Sequence, residues 1–353
     1  MAAAPPTIDD LRAATASIAG LAVRTPLLDA PTLSAAVGRP VHVKPEMLQV
    51  TGSFKFRGAC HFLTLLGPEE RRRGVVAYSS GNHAQGVAAA AARFGVAATI
   101  VMPADAPGVK LERTRSHGGE VVLYDRATES REEIAAGIAG ETGATLIPPY
   151  DHPRTIAGQG TVGIEIAADC VAAGIEDPVV VVPLGGGGLA AGIGIALETD
   201  LPGASLFGVE PVGWDDHVLS LAARKRVSAE GRPVTICDAL LVPTPGEITF
   251  EVNRRLLAGA AAVTDEAVLV AIRLVFDGLR LVVEPGGAVG VAALLAGLVP
   301  GKGPVVVVLS GGNLDRPTLE KALDHTAMRV SPGTGRAGSE SDAEASASRT
   351  PPE

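Results

Sequence analysis

Aromatic residues are scarce, with seven Phe, three Tyr and one Trp among 353 residues. The hydrophobic share of 46% therefore rests on Ala, Val, Leu and Ile in short stretches, a composition that fits alternating strands and helices. Cysteine is nearly absent. Cys60, Cys170 and Cys237 are odd in number, far apart and without CxxC spacing, which argues against a disulfide framework or a cysteine-bound zinc site. They are expected as small core residues. Long apolar runs are missing too: Val179 to Leu184 and Val305 to Leu309 are far shorter than the roughly 20 residues of a membrane span. The opening MAAAPPTIDDLRAA has no basic region followed by an apolar core, so a cytoplasmic protein is expected. There is no excess of basic charge. A formal net charge of −9 opposes nonspecific adhesion to nucleic acid or an anionic membrane, leaving a small molecule as the expected partner.

What is present is length enough for two cores and a recurring pattern of buried strand, glycine and Ala-rich helix. Strands are predicted at Val75 to Tyr78, Ala97 to Met102, Glu120 to Tyr124, Val179 to Pro183, Ser205 to Val209 and Val305 to Leu309. Helices are predicted between them at His83 to Phe94, Glu129 to Glu141, Gly158 to Ala173 and Leu189 to Glu198. This order implies an α/β fold with a mostly parallel sheet covered on both faces. Glu247 to Ala258 and Asp265 to Leu281 read as two more helices, the second capped by Thr264. The segment 331–353 has almost no large apolar residues and reads as a disordered tail. No internal repeat and no room for an appended regulatory domain are evident.

Three segments carry chemistry. Gly185-Gly186-Gly187-Gly188-Leu189 follows a buried strand and opens a helix, so its backbone N–H groups and the positive helix end suit a phosphate. It lacks the Lys-Ser or Lys-Thr pair of a nucleotide loop and does not match GxGxxG, which favours another phosphorylated cofactor. In TGSFKFRGA, Lys55 lies between Phe54 and Phe56, two rings able to desolvate an amine destined to form an imine. In SSGNHAQG, Ser80 or Asn82 is expected to cap a helix, and the same N–H groups would receive a substrate carboxylate.

SFKFRGA, SSGNHAQG, GGGGLAAG and LSGGN, in that order, resemble fold type II pyridoxal phosphate enzymes, most closely the threonine/serine dehydratase and serine racemase branch, including hydroxyaspartate dehydratase-like members. The likeness runs from about Ala13 to Leu323. It implies two three-layer αβα units: a large cofactor-binding domain from 1–68 and 152–330, and a small closing domain at 69–151. It makes Lys55 the lysine that carries the cofactor, Phe54 its stacking neighbour, Asn82 the donor to the cofactor's 3′-oxygen, and Ser310 the partner of the pyridine nitrogen. Gly185, Gly186, Gly187, Gly188 and Leu189 then hold the phosphate. Ser79, Ser80, Gly81, Asn82 and His83 are implied to bind substrate. A hydroxyl at Ser310, unlike a carboxylate, does not strongly stabilise a protonated ring, which suits elimination of a β-substituent.

The reaction so implied removes water and then ammonia from a β-hydroxy amino acid such as threonine, serine or 3-hydroxyaspartate, by way of aminoacrylate, with Lys55 as the base. Ser80 matches the second acid/base of the racemases, which keeps serine or aspartate racemisation as the alternative. A β-replacement synthase and a non-catalytic cofactor-binding protein are further alternatives. The likeness also implies a magnesium site, with calcium or manganese in its place, at Glu210, the Trp214 carbonyl and Asp216. Trp214 stands where the family usually has a small residue. Arg131 matches a residue reaching the substrate's β side, where a guanidinium fork could hold a second carboxylate. A homodimer is implied. Glu284 and the stretch Pro245 to Phe250 take no chemical role at this stage.

Overall fold

In the computed structural model, which describes residues 3–106 and 108–325, the Val-rich runs form two mostly parallel sheets. The strands are β1 (Leu28–Asp29), β2 (Val41–Pro45), β3 (Val75–Tyr78), β4 (Ala98–Pro103), β5 (Gly119–Tyr124), β6 (Thr145–Leu146), β7 (Val179–Pro183), β8 (Ser205–Pro211), β9 (Leu257–Val263) and β10 (Val305–Leu309). The larger sheet has six strands in the order β1-β2-β10-β7-β8-β9, and only the β1/β2 pair is antiparallel. The smaller has four parallel strands in the order β5-β4-β3-β6. The expected tail at 331–353 lies outside the described residues.

Because side chains alternate across a strand, each buried strand feeds two cores. Val180, Val182, Val306 and Val308 pack with Val162, Ile166 and Ile193 of the helices Pro153–Ala173 and Gly188–Asp200. Val181, Val305 and Val307 pack on the opposite face with Ile272 and Val289 of Asp265–Leu279 and Pro285–Leu295. Thr264 caps Asp265–Leu279 as expected, its side chain accepting from the Ala267 N–H. In the four-stranded sheet, Val75, Ala77, Ile100 and Met102 meet helices Lys55–Thr64 and Asn82–Arg93, while Val76 and Val101 meet Arg131–Thr142. Cys60, Cys170 and Cys237 are free and buried. No helix among the described residues is long and apolar enough to cross a membrane.

Two expectations require correction. The helix expected to reach Ala258 stops at Leu256, and Leu257–Val263 is instead β9, paired with β8 at the sheet edge. Neither Ser80 nor Asn82 caps the helix Asn82–Arg93: Gly81 occupies the cap position and no side chain bonds there.

Candidate active site

The C-terminal ends of β3, β7 and β10 open towards one cavity of about 140 Å³, which is where open parallel sheets present their ligand crevice. Lys55 is the first residue of helix Lys55–Thr64 and enters from the side. Its segment is laced to the end of β10: the Phe54 N–H donates to the Ser310 carbonyl at 3.1 Å, Ser53 bridges Gly311, and the Gly312 N–H donates to the Gly52 carbonyl at 2.9 Å. Phe54, Lys55, Ser79, Ser80, Gly81, Asn82, His83, Arg131, Gly185, Gly186, Gly187, Gly188, Leu189 and Ser310 all line the cavity.

The Lys55 ammonium donates to the Pro149 carbonyl at 2.6 Å and lies 5.1 Å from the centre of the Phe54 ring. Removal from water lowers its pKa from 10.5 to about 8, because the neutral amine loses less solvation than the ammonium. Phe56 does not share in this. It turns into the core of the smaller sheet, beneath the Arg93 guanidinium, because adjacent helical residues point about 100° apart.

The glycine turn is shaped by what stands behind it. A Cβ on Gly186 would lie 2.2 Å from the Tyr150 ring, and one on Gly187, whose φ is +86°, would lie 2.5 Å from Asn253 Nδ2. Only glycine fits both constraints. Helix Glu247–Leu256 holds the turn from outside, with the Thr249 hydroxyl donating to the Gly186 carbonyl at 2.7 Å and Asn253 Nδ2 donating to the Gly187 carbonyl at 3.1 Å. The first N–H groups of helix Gly188–Asp200 have no acceptor within their own helix. A phosphate fits that cradle.

Facing this turn, the Asn82 amide is fixed at both ends. It donates to Glu284 Oε1 at 2.5 Å and accepts from Asn313 Nδ2 at 2.8 Å. Burial raises the Glu284 pKa to about 7, with Asp238 adding to the effect. The Ser79 hydroxyl accepts from the Gly81 N–H at 3.2 Å and so shapes the turn. His83 sits 2.9 Å from the Ile147 carbonyl through Nε2, and burial together with the Lys55 charge lowers its pKa to about 3. It is therefore a neutral imidazole with Nδ1 bare. Arg131 lies on the cavity wall, its Nε donating to Glu132 at 2.8 Å and its guanidinium 5.5 Å from the Tyr78 ring.

Behind the glycine turn, Glu210 at the end of β8 meets Asp216 and His217 in the first turn of helix Asp216–Ala223. Glu210 accepts from the His217 and Val218 N–H groups at 3.0 and 2.9 Å. Burial raises the pKa of both carboxyls, and that of Asp216 is raised further by Glu210. Trp214 keeps its bulk out of this cluster, since its indole N–H donates to the Pro233 carbonyl at 2.8 Å.

A family model described as "Pyridoxal-phosphate dependent enzyme" matches residues 18–311. The chain belongs to this family. Within it, the chain falls in the group of hydroxy-amino-acid ammonia-lyases and serine racemases. It is 40% identical over 319 residues to an L-threonine ammonia-lyase of Thermotoga maritima, covering 90% of this chain and 78% of that one. It is 41% identical over 309 residues to an L-threo-3-hydroxyaspartate ammonia-lyase of a Pseudomonas species, covering 87% and 95%. Its fold matches maize serine racemase with a TM-score of 0.84 at 36% identity, covering 90% and 97%.

The family's cofactor suits the donor set present: a desolvated lysine amine, a glycine turn at a helix start, and an oriented amide at Asn82. Tyr150, Lys110 and Asp238 also surround the site, and no local motif announced them; Asn313, which braces Asn82, closes the LSGGN motif but was given no role there. His217 was likewise missed, although a histidine beside an expected acidic ligand was the available signal.

Proposed function

We propose that this chain is a pyridoxal phosphate-dependent ammonia-lyase that converts a small β-hydroxy amino acid, namely threonine, serine or 3-hydroxyaspartate, to a 2-oxo acid and ammonia. The desolvated Lys55 amine, enclosed in one cavity with the glycine turn and the SSGN turn, carries this reading. The bound cofactor supplies an electron-withdrawing ring conjugated to the substrate's amine. Lys55 Nζ would hold it covalently, and the same desolvated amine would be the base that takes the proton from the substrate's α-carbon. Gly185 to Leu189 would hold the phosphate, Asn82 would donate to the 3′-oxygen, Ser310 would partner the pyridine nitrogen and Phe54 would flank the ring. The turn Ser79-Ser80-Gly81 receives the substrate carboxylate, beside neutral His83. Arg131 accommodates a second carboxylate. The β-hydroxyl leaves as water and the released enamine takes water back, so the net loss is ammonia.

A divalent cation at Glu210 and Asp216, with the Trp214 carbonyl, belongs to the same reading. So do a homodimer acting in the cytoplasm, and a division into a large domain of 1–68 and 152–330 and a small domain of 69–151 whose closure excludes water. Racemisation is the second reading, because Ser80 lines the same cavity as Lys55 and supplies a second proton carrier.

The test incubates the protein and cofactor with L- and D-serine, threonine and the hydroxyaspartate isomers, reading 2-oxo acid and ammonia. Release from one of them is expected. Lys55→Ala should lose the lysine-bound chromophore and roughly 10²–10⁴-fold or more of the rate. No release from any of them by a protein carrying the intact chromophore overturns the proposal.

A further inference from the structure

The cluster behind the glycine turn holds a residue outside the ligand set implied by resemblance. Glu210, Asp216 and His217 are all 0% exposed, and each offers a ligand atom within 4.8 Å of the others. Both Asp216 oxygens and His217 Nδ1 are buried without a hydrogen-bond partner. Neither carboxylate is paired with Lys or Arg among the described residues; the nearest cationic candidate is His217, whose Nδ1 lies 3.3 Å from Glu210 and 3.6 Å from Asp216. Two buried carboxyls facing an unpartnered imidazole nitrogen are costly to leave so, and buried charges are ordinarily paired or coordinate a metal.

We infer that Glu210, Asp216 and His217 together bind a divalent cation that takes an imidazole ligand, of the cobalt or zinc class, in preference to magnesium, calcium or manganese. This rests on the divalent-cation part of the proposed function and deepens it. Magnesium, calcium and manganese favour oxygen ligands, whereas imidazole suits zinc and the later transition-metal ions. Two carboxylates neutralise the ion's charge, and the His217 Nδ1 atom supplies the selectivity that oxygen ligands alone would not.

The far side of the imidazole fits as well. His217 Nε2 lies 3.4 Å from Asn253 Nδ2, and Asn253 Oδ1 is buried without a partner. With a cation on Nδ1 the ring proton sits on Nε2, and a half-turn of the Asn253 amide brings Oδ1 to accept it. Such outer partners commonly orient a ligating histidine. The same half-turn withdraws the Asn253 donor from the Gly187 carbonyl, which links the cation to the glycine turn.

The experiment strips the holoenzyme with chelator and measures binding of Mn²⁺, Co²⁺, Zn²⁺, Mg²⁺ and Ca²⁺ by titration calorimetry, without substrate. Pulsed electron resonance on the Mn²⁺ form then reads coupling to a ligand nitrogen. We expect Co²⁺ and Zn²⁺ to bind more tightly than Mn²⁺, Mg²⁺ and Ca²⁺, with nitrogen coupling in the Mn²⁺ form of the unaltered protein. His217→Ala should lose that coupling and weaken Zn²⁺ roughly 10–100-fold while leaving Mg²⁺ binding nearly unchanged. Binding without nitrogen coupling, tightest binding of Mg²⁺, Ca²⁺ or Mn²⁺, or no binding at all would each overturn the inference. The nitrogen readout on the unaltered protein decides even if His217→Ala misfolds. Ammonia release is assayed separately, so failure of the cation site leaves the lyase reading standing.

Discussion

Lys55 meets opposed demands, because an amine must be neutral to attack a carbonyl yet ordinary lysines are charged near neutrality. Desolvation resolves this by bringing its pKa down to about 8 from 10.5. In the cofactor-free protein, the rate of chromophore formation with added cofactor should therefore rise as pH increases through about 8 and then level. A rate still climbing steeply well above pH 9 would show an undisturbed lysine. Ser80 offers a second residue-scale prediction: Ser80→Ala should abolish racemisation, read by chiral chromatography, while ammonia release stays within about tenfold. Residues in glycine-rich motifs at strand ends were legible in the sequence, and they converge on one cavity. Tyr150 and Asp238 were not, because each reaches the site by tertiary packing from a segment whose local pattern is ordinary. Glu284 could be noticed but not assigned, since its partner Asn82 is 202 positions away.

Among elements, the tightest contact joins the helices Pro153–Ala173 and Gly188–Asp200. A Cβ on Gly192 would lie 2.5 Å from the Gly160 Cα, so the two backbones touch. Gly192→Ala should cost about 1–3 kcal/mol in denaturant unfolding. It should also weaken cofactor binding, because the same helix begins at the glycine turn. Buried parallel strands were the most legible elements, their uninterrupted Val runs having no competing helical period. The missed strands fail that test for identifiable reasons. In β2 the sequence VHVKP hides a buried strand, because Lys44 is 0% exposed and paired with Glu165 at 2.7 Å. In β9 the Ala-rich LAGAAAV favours helix locally, and pairing with β8 overrides that preference.

For the whole molecule, alternation of strand and helix revealed the fold class but not the strand order, which depends on contacts such as β10 between β2 and β7. The two sheets face one another across the cavity. Lys110, in helix Gly108–Ser116 beside the smaller sheet, pairs with Asp238 on the other side, and Arg113 donates to Asn313 at 3.2 Å. An ion pair and a guanidinium–amide hydrogen bond therefore span this mouth. Departure of a product through it is then an electrolyte-sensitive event. Raising ionic strength from about 0.01 to about 0.15 M cuts the screening length from about 30 to about 8 Å. Where release limits turnover, kcat should rise with salt by at most about fivefold, the worth of one partly exposed pair, and in Asp238→Ala it should be salt-independent. Where release is the slow step, the ionic composition around the protein would thereby set the pace of a reaction that takes place inside the cavity.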